Sequence, residues 1–235
     1  MPKQGIDFAY ILKIFPQLLM TVPFTVFVIL IAAVLGLLFG VLVTLIRVKK
    51  VSLLYQITLI YISFTRSTPG LIQLFVVYYG LPVFLQLFGI NINSMSRTAF
   101  AILSLVLHNG AFVSEVMYPA YLSVDKGQHE AADSIGMTWR QKLQRIIAPQ
   151  FIPIALPNLG NMLVNLIKDT SLLFTIGVVD LMGKSKIIIA NDYGIGQLEV
   201  YITIAFIYWS LTFVSEKGIR QFERIAQRRM GLRHV

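Results

Sequence analysis

Residues 130–136 read Glu130-Ala131-Ala132-Asp133-Ser134-Ile135-Gly136, and Pro149 follows downstream. They lie in the one long polar interval between two strongly apolar blocks. Gln128 to Trp139 is expected to form a short helix, with two alanines and no proline inside. Glu130 and Asp133 stand in its first turn, and Arg140 and Lys142 lie just beyond it. That charge order suits the helix dipole. Neither Ala131 nor Ala132 projects beyond its β-carbon, so the helix can approach another surface closely. Glu130 can cap the helix start or pair with a basic partner. Gly136 has no Cβ and permits a sharp exit turn with positive φ. On residues alone, the interval is either an ordinary loop between membrane spans or a small rigid docking knob.

The flanking blocks define the class. The chain has 235 residues, 56% hydrophobic and only 13% charged. Soluble domains carry about 25% charged residues. This is the composition of an all-α integral membrane protein. The net charge of +9 raises the question of nucleic acid, but the positions of the charges argue against it. There is no cysteine, which excludes disulfides, thiolate metal sites and a cysteine nucleophile. His108, His129 and His234 are scattered, so no metal site is expected. No Gly-rich phosphate loop with its lysine is present, and no Gly-x-Ser-x-Gly. An ATP-driven machine built on this chain would hold its nucleotide elsewhere, so no cofactor is expected here.

Outward from the polar interval, five crossings are expected. Ile14 to Ile46 is uncharged. It is too long for a signal peptide core and lacks a small-residue cleavage site, so it reads as a retained first span. Its Gly36 and Gly40 permit close helix contact. Val51 to Thr65 is too short to cross comfortably. It should run along the inner boundary and enter the membrane near Arg66, which reads as a boundary arginine with its head in water. The second span is then about Ser67 to Leu87, and the third about Thr98 to Tyr118.

The third span carries His108 and Glu115, seven apart and on one face. A mid-helix carboxylate is costly and usually faces protein or a water cavity; near the boundary it is simply a solvated end charge. The fourth span starts near Phe151 and is uncharged to Ile167. Along it Asn158, Asn161, Asn165 and Lys168 form a polar stripe. Such a stripe either hydrogen-bonds between helices or lines a pore. Lys168 and Asp169 could meet the two charges of a zwitterion if the helix breaks there; they could equally bind neighbouring spans. Leu173 to Gly183 suggests a second short helix, and Lys184 to Gln197 an outer loop. The fifth span is about Leu198 to Ser215. Glu216 to Met230 follows as a basic amphipathic helix with Ile219, Phe222, Ala226 and Met230 on one side.

Five crossings put the termini on opposite sides. With the tail inside, Arg47, Lys49, Lys50, Lys126, Arg140, Lys142, Arg145, Lys217, Arg220, Arg224, Arg228, Arg229 and Arg233 are cytoplasmic, thirteen in all. Lys3, Lys13, Arg97, Lys184 and Lys186 lie outside, and Arg66 and Lys168 lie in or near the membrane. The positive-inside rule therefore places the N-terminus out, the C-terminus in, and residues 125–149 in the cytoplasm.

Several runs carry a family resemblance. Residues 130–136 with Pro149 resemble the EAA-x3-G signature of bacterial ABC importer permeases. Phe64-Thr65-Arg66-Ser67-Thr68-Pro69, Gln73-Leu74-Phe75 and Tyr78-Tyr79-Gly80-Leu81-Pro82 resemble the Arg-Gly-Thr-Pro…Gln-Leu…Tyr-x-Gly-Leu-Pro run of the polar amino-acid branch, with Ser67 in place of glycine. Val124-Asp125-Lys126-Gly127-Gln128 and Lys168-Asp169-Thr170-Ser171-Leu172 match two further motifs of that branch. The run from Phe174 to Lys184 looks most like cystine-type permeases. Tyr118 stands where the family usually has an arginine, which leaves the local partner of Glu115 open.

The resemblance implies a type I (MetI-like) importer permease in the bacterial cell membrane, one permease domain over 1–235 with a basic tail from about 216. It implies alternating access without bond chemistry on this chain, for L-cystine or another polar amino acid. Glu130, Ala131, Ala132 and Gly136 would belong to the coupling helix, which sits in a groove of the ATPase. Asn161, Asn165, Lys168, Asp169, Thr170 and Ser171, with Glu115 and His108, are the substrate-path candidates. The implied partners are a cytosolic ATPase dimer holding ATP and Mg, an extracellular solute-binding protein, a second permease copy (the same chain or a different one), and membrane lipid. A membrane anchor of a redox enzyme would need haem-ligating histidines within spans, and only His108 qualifies. An ion-driven secondary carrier often shows internal repeats, and none is visible.

Overall fold

In hydrocarbon a backbone must satisfy its own hydrogen bonds, which favours helices. A computed structural model describes residues 5–229, and among them no strand occurs. Helix α1 spans Phe8–Leu19 and is capped by Asp7, whose carboxylate accepts from Tyr10 N at 3.1 Å. Helix α2 spans Val22–Lys49. The expected first span from Ile14 to Ile46 is therefore two helices. Thr21 Oγ1 donates to Leu18 O at 2.7 Å and closes α1. Pro23 sits in the first turn of α2, where a missing N–H costs little. Ile14 and Leu18 pack on Leu181, Val200, Ile204 and Ile207 instead of continuing the span.

Helix α3 covers Ser52–Ser67. Thr68 is extended before Pro69, as a residue preceding proline prefers. The chain restarts as α4, Gly70–Phe75, passes a π-turn at Val76–Gly80, and ends as α5, Leu81–Gln86. Together these make an apolar helix, Gly70–Gln86, close to the expected second span. Helix α6, Arg97–Leu122, is capped by Ser96. The polar interval folds as α7, Lys126–Ser134, and α8, Trp139–Lys142. A π-turn at Leu143–Ile147 leads into α9, Ala148–Asp169, which tightens to a 3-10 helix over Thr170–Ile176. Helix α10 spans Leu181–Asn191 and α11 spans Gln197–Arg229.

Leu173–Gly183 is thus not a helix of its own, and most of Lys184–Gln197 is helical rather than loop. The reason is Asp180. It caps α10, its Oδ1 accepting from Gly183 N at 2.8 Å. Its other oxygen, buried with the Tyr208 hydroxyl, has no hydrogen-bond partner among the described residues. Burial pushes the carboxyl up to about 6, against the pull of the backbone donors at its cap. The basic tail is continuous with α11; Met230 and the residues after it lie outside the described part.

Among the described residues, four helical stretches are long and apolar enough to cross a membrane: Val22–Lys49, Arg97–Leu122, Trp139–Ile176 and Gln197–Ile225. Helix α6 is central and packs against α2, α3, α4 and α9. Small residues let α2 approach it. A Cβ on Gly40 would lie 2.4 Å from Val113 Cβ and 2.8 Å from the Gly110 carbonyl, and one on Gly36 would lie 2.9 Å from Asn109 Nδ2.

Gly40→Ala should therefore force the two backbones apart. Overpacking of this kind costs about 1–3 kcal/mol, read as a lower Tm of the purified protein in detergent. Gly36→Ala should be milder, because an Asn109 side chain can move and a carbonyl cannot. Equal stability of Gly40→Ala and the parent chain would contradict the packing.

Candidate functional site

Two polar constellations interrupt the apolar bundle, and a third lies at its end. The first joins α2, α3 and α6. Arg47 is 8% exposed. Its Nη1 lies 2.9 Å from Glu115 Oε1 and donates to Ser114 Oγ at 3.0 Å, while its guanidinium stacks 4.1 Å over the Tyr118 ring. Arg66 reaches the other oxygen, Glu115 Oε2, at 2.5 Å. Tyr118 thus contributes a ring face where the family usually has an arginine, and Glu115 takes its two cations from other helices. Arg66 keeps a side-chain exposure of 58%, as a boundary arginine should, but its head is paired. Sequence reasoning missed Arg47, which was read only as the charge that ends a span.

The second constellation gathers His108, Gln73 and Asp169. His108 Nδ1 is 2.9 Å from Gln73 Oε1, and His108 Nε2 is 3.8 Å from Asp169 Oδ2. Small clefts flank the histidine and the aspartate on two sides. One is lined by Gly70, Ser104 and Leu172; the other, about 80 Å3, by Asn109, Phe112, Met162 and Asn165. Asn165 therefore joins this site. Asn158, Asn161, Asn165 and Lys168 all lie on an exposed face of α9, and the three asparagines make no side-chain hydrogen bond among the described residues. Interhelical bonding within the chain does not account for the stripe.

Thr170 is fully buried, donating from Oγ1 to Ile167 O at 2.7 Å, and Ser171 is half-buried. Thr170 supports the site from the core. The α-helix runs through Asp169, so Lys168 and Asp169 keep their helical divergence of about 100°. Glu115 lies two turns from His108 and belongs to the arginine cluster. Gln73 is the residue sequence reasoning did not select as a site residue; its signals were a glutamine inside an apolar helix and its place in the Gln-Leu motif.

The third constellation is the α7–α8 hairpin. The expected helix from Gln128 to Trp139 begins two residues earlier and is broken. Asp125 caps α7, accepting from Gly127 N at 2.7 Å, so Glu130 is mid-helix and not a cap. Gly136 adopts φ +73° with open space around it, the left-handed exit expected of it. Thr138 and Gln141 then form a capping box that starts α8. Lys142 Nζ bonds both oxygens of Asp133 at 2.7 and 2.8 Å and closes the hairpin. Glu130 and Ala131 are exposed, but Ala132 is 1% exposed. Ala132 thus packs within its own chain, so only one of the two alanines offers a face to another surface.

The residues 35–224 match the family model described as "Binding-protein-dependent transport system inner membrane component". The chain belongs to this family. The permease is 39% identical over 219 residues to a probable amino-acid permease protein, YxeN, of Bacillus subtilis, covering 93% of this chain and 95% of that one. It is 36% identical over 215 residues to the L-cystine transport system permease protein TcyL of the same organism, covering 92% and 87%. A crystal structure of an amino acid ABC transporter with histidines superposes with a TM-score of 0.79 at 31% identity, covering 94% of this permease and 99% of that chain. The MetNI methionine ABC transporter, in an inward-facing conformation, shares the fold at a TM-score of 0.66 and 20% identity, covering 89% and 94%. The permease is a transport subunit rather than an enzyme, and the ATPase is a separate subunit.

Removing Glu115 would leave Arg47 buried without its carboxylate. Glu115→Gln in the permease should cost about 3–5 kcal/mol, seen as loss of the folded protein from membranes. Arg66→Ala should cost about 0–1 kcal/mol, since that arginine is mostly solvated. Equal yields and melting temperatures for both variants would show that the cluster carries no structural load.

Proposed function

We propose that this permease forms the translocation path of an ATP-driven importer in the bacterial cell membrane, carrying L-cystine or another polar amino acid by alternating access. The observation that carries this reading is the uncovered stripe from Asn158 to Lys168, running to the His108–Asp169 pair. Amides facing lipid would lack partners, so the stripe needs water, solute or a second permease. A homodimer meeting across α9 supplies all three. Because α9 is unbroken at Lys168 and Asp169, the two diverge by about 100°; Asp169, beside His108, faces the candidate site, and Lys168 lies further around the exposed face.

The topology proposed is five crossings: the four long helices and the Gly70–Gln86 helix. The last is 17 residues, about 25 Å at helical rise. Helix α3 then lies against the inner boundary. The N-terminus is outside, facing the solute-binding protein, and the C-terminus is cytoplasmic. Helices α1 and α10 crown the outer end. The α7–α8 hairpin lies at the inner end, where Glu130, Ala131 and the Gly136 turn meet the ATPase dimer. ATP and Mg bind there, on the partner. Nucleotide biases the permease only through contacts that differ between its two states.

The topology is open to labelling because the chain has no cysteine. Tyr193 is 93% exposed and Gln221 is exposed. Tyr193→Cys should react with an impermeant maleimide in intact cells, and Gln221→Cys only after permeabilisation. Reaction of both in intact cells would end the five-span orientation.

The transport reading is tested by ATP hydrolysis in the complex reconstituted with its solute-binding protein, screened over cystine, basic and acidic amino acids. Cystine is expected to stimulate hydrolysis and to be taken up. Gly136→Val places a β-branched residue at positive φ, at a cost of about 1–2 kcal/mol, and should uncouple hydrolysis from uptake without changing solute binding by the external protein. Stimulation by none of the amino acids would refute the substrate class. Full coupling in Gly136→Val would remove the hairpin from the mechanism.

A further inference from the structure

Gln73 is 6% exposed and sits just after the break between α3 and α4. Its Nε2 donates to Thr65 O at 2.7 Å and to Thr68 O at 2.6 Å. These carbonyls lie at the C-terminal end of α3, where the helix leaves its last acceptors without donors. A carbonyl can only accept, so the two contacts require the NH2 end of the amide and fix which end of Gln73 faces them. Both amide hydrogens are then used. The remaining oxygen, Oε1, faces His108 Nδ1 at 2.9 Å.

An acceptor at that position requires a proton on Nδ1. A neutral imidazole carries one proton, so the lone pair of His108 falls on Nε2. Nε2 faces Asp169 Oδ2 at 3.8 Å, beyond direct hydrogen-bond reach. In this tautomer an acceptor faces an acceptor across a narrow gap beside the two clefts. An ammonium group has three donors and can bridge them. A carboxylate would meet two acceptors and be turned away.

We propose that Gln73 is a positioning residue of the translocation site, holding His108 as its Nδ1–H tautomer so that Nε2 and the Asp169 carboxylate together accept the ammonium group of an amino acid. The part concerning ammonium rests on the reading of this permease as an amino-acid importer. The part concerning the tautomer does not. The pair sets the orientation of the zwitterion, with its ammonium toward α6 and α9.

The tautomer is read directly by nitrogen-15 solid-state NMR. The permease is labelled at histidine, assembled with its ATPase in bilayers, and examined at pH 8, above the ordinary histidine range. His129→Asn and His234→Asn leave His108 as the one labelled histidine. The expected spectrum has Nδ1 protonated and Nε2 bare. Gln73→Met removes the acceptor that holds the proton on Nδ1, and His108 should switch to the Nε2–H form, which turns its proton toward the Asp169 carboxylate. In L-cystine uptake by the reconstituted complex, Gln73→Met should raise KM about tenfold with kcat little changed, the loss expected for one hydrogen bond to a charged group. An Nε2–H tautomer in the parent permease overturns the inference even if Gln73→Met fails to fold. A bare Nε2 with no cystine uptake by the parent complex upholds the tautomer and counts against cystine as the solute. An Nδ1–H tautomer with unaltered uptake kinetics in Gln73→Met overturns the role in transport.

Discussion

Where α2 meets α6, no side chain separates the backbones at Gly40 and Gly110. Beside it the buried Thr44 hydroxyl is satisfied, its Oγ1 donating back to Gly40 O at 2.7 Å. The rotation and height of α6 follow from this approach. Asn109 faces α2 at Gly36. His108, one residue earlier and about 100° around the helix, turns to α4 and α9 instead. Two turns further on, the same contact brings Arg47 to Ser114 and Glu115. Van der Waals packing of small residues is the main attraction available between helices in lipid, and here it positions both polar clusters.

The sequence made legible what depends on runs and periods. Uncharged stretches marked the long helices, since a charge in hydrocarbon is costly. A spacing of three and four revealed the α9 stripe, and the shortness of Val51–Thr65 set α3 apart from the span that follows. Breaks that no charge announces were not legible. The boundary between α1 and α2 falls inside an uncharged run, where a threonine back-bond and a proline in a first turn look the same as in a continuous helix. Leu173–Gly183 read as a helix of its own because the cap at Asp180 is recognisable only once the next helix is known. Three-body arrangements were hidden for a different reason. Gln73, His108 and Asp169 lie on three helices, and nothing in their spacing says that those helices converge. For the same reason Ala131 and Ala132 looked equivalent until the packing of α7 distinguished them.

The hairpin is attached to the bundle by more than its ends. Lys49 lies 4.2 Å over the Trp139 ring, tying α8 to the last turn of α2. Tyr121 meets His129 edge-on at 5.5 Å, tying α7 to α6. Asp133 and Lys142 brace its two arms. A displacement of this hairpin therefore reaches α2 and α6 together, two of the three helices that hold the arginine cluster.

The uncovered face of α9 has a consequence for biosynthesis. In a solitary copy of this chain Asn158, Asn161, Asn165 and Lys168 stay on an uncovered face of α9, and within hydrocarbon an unpaired polar group costs free energy. Subunits made in excess thus carry their own mark of being orphaned, readable by any membrane protease or chaperone that senses exposed polarity within the lipid phase. Covering α9 erases that mark. The same four side chains proposed above to face the solute would then make the lifetime of the chain depend on the company it keeps.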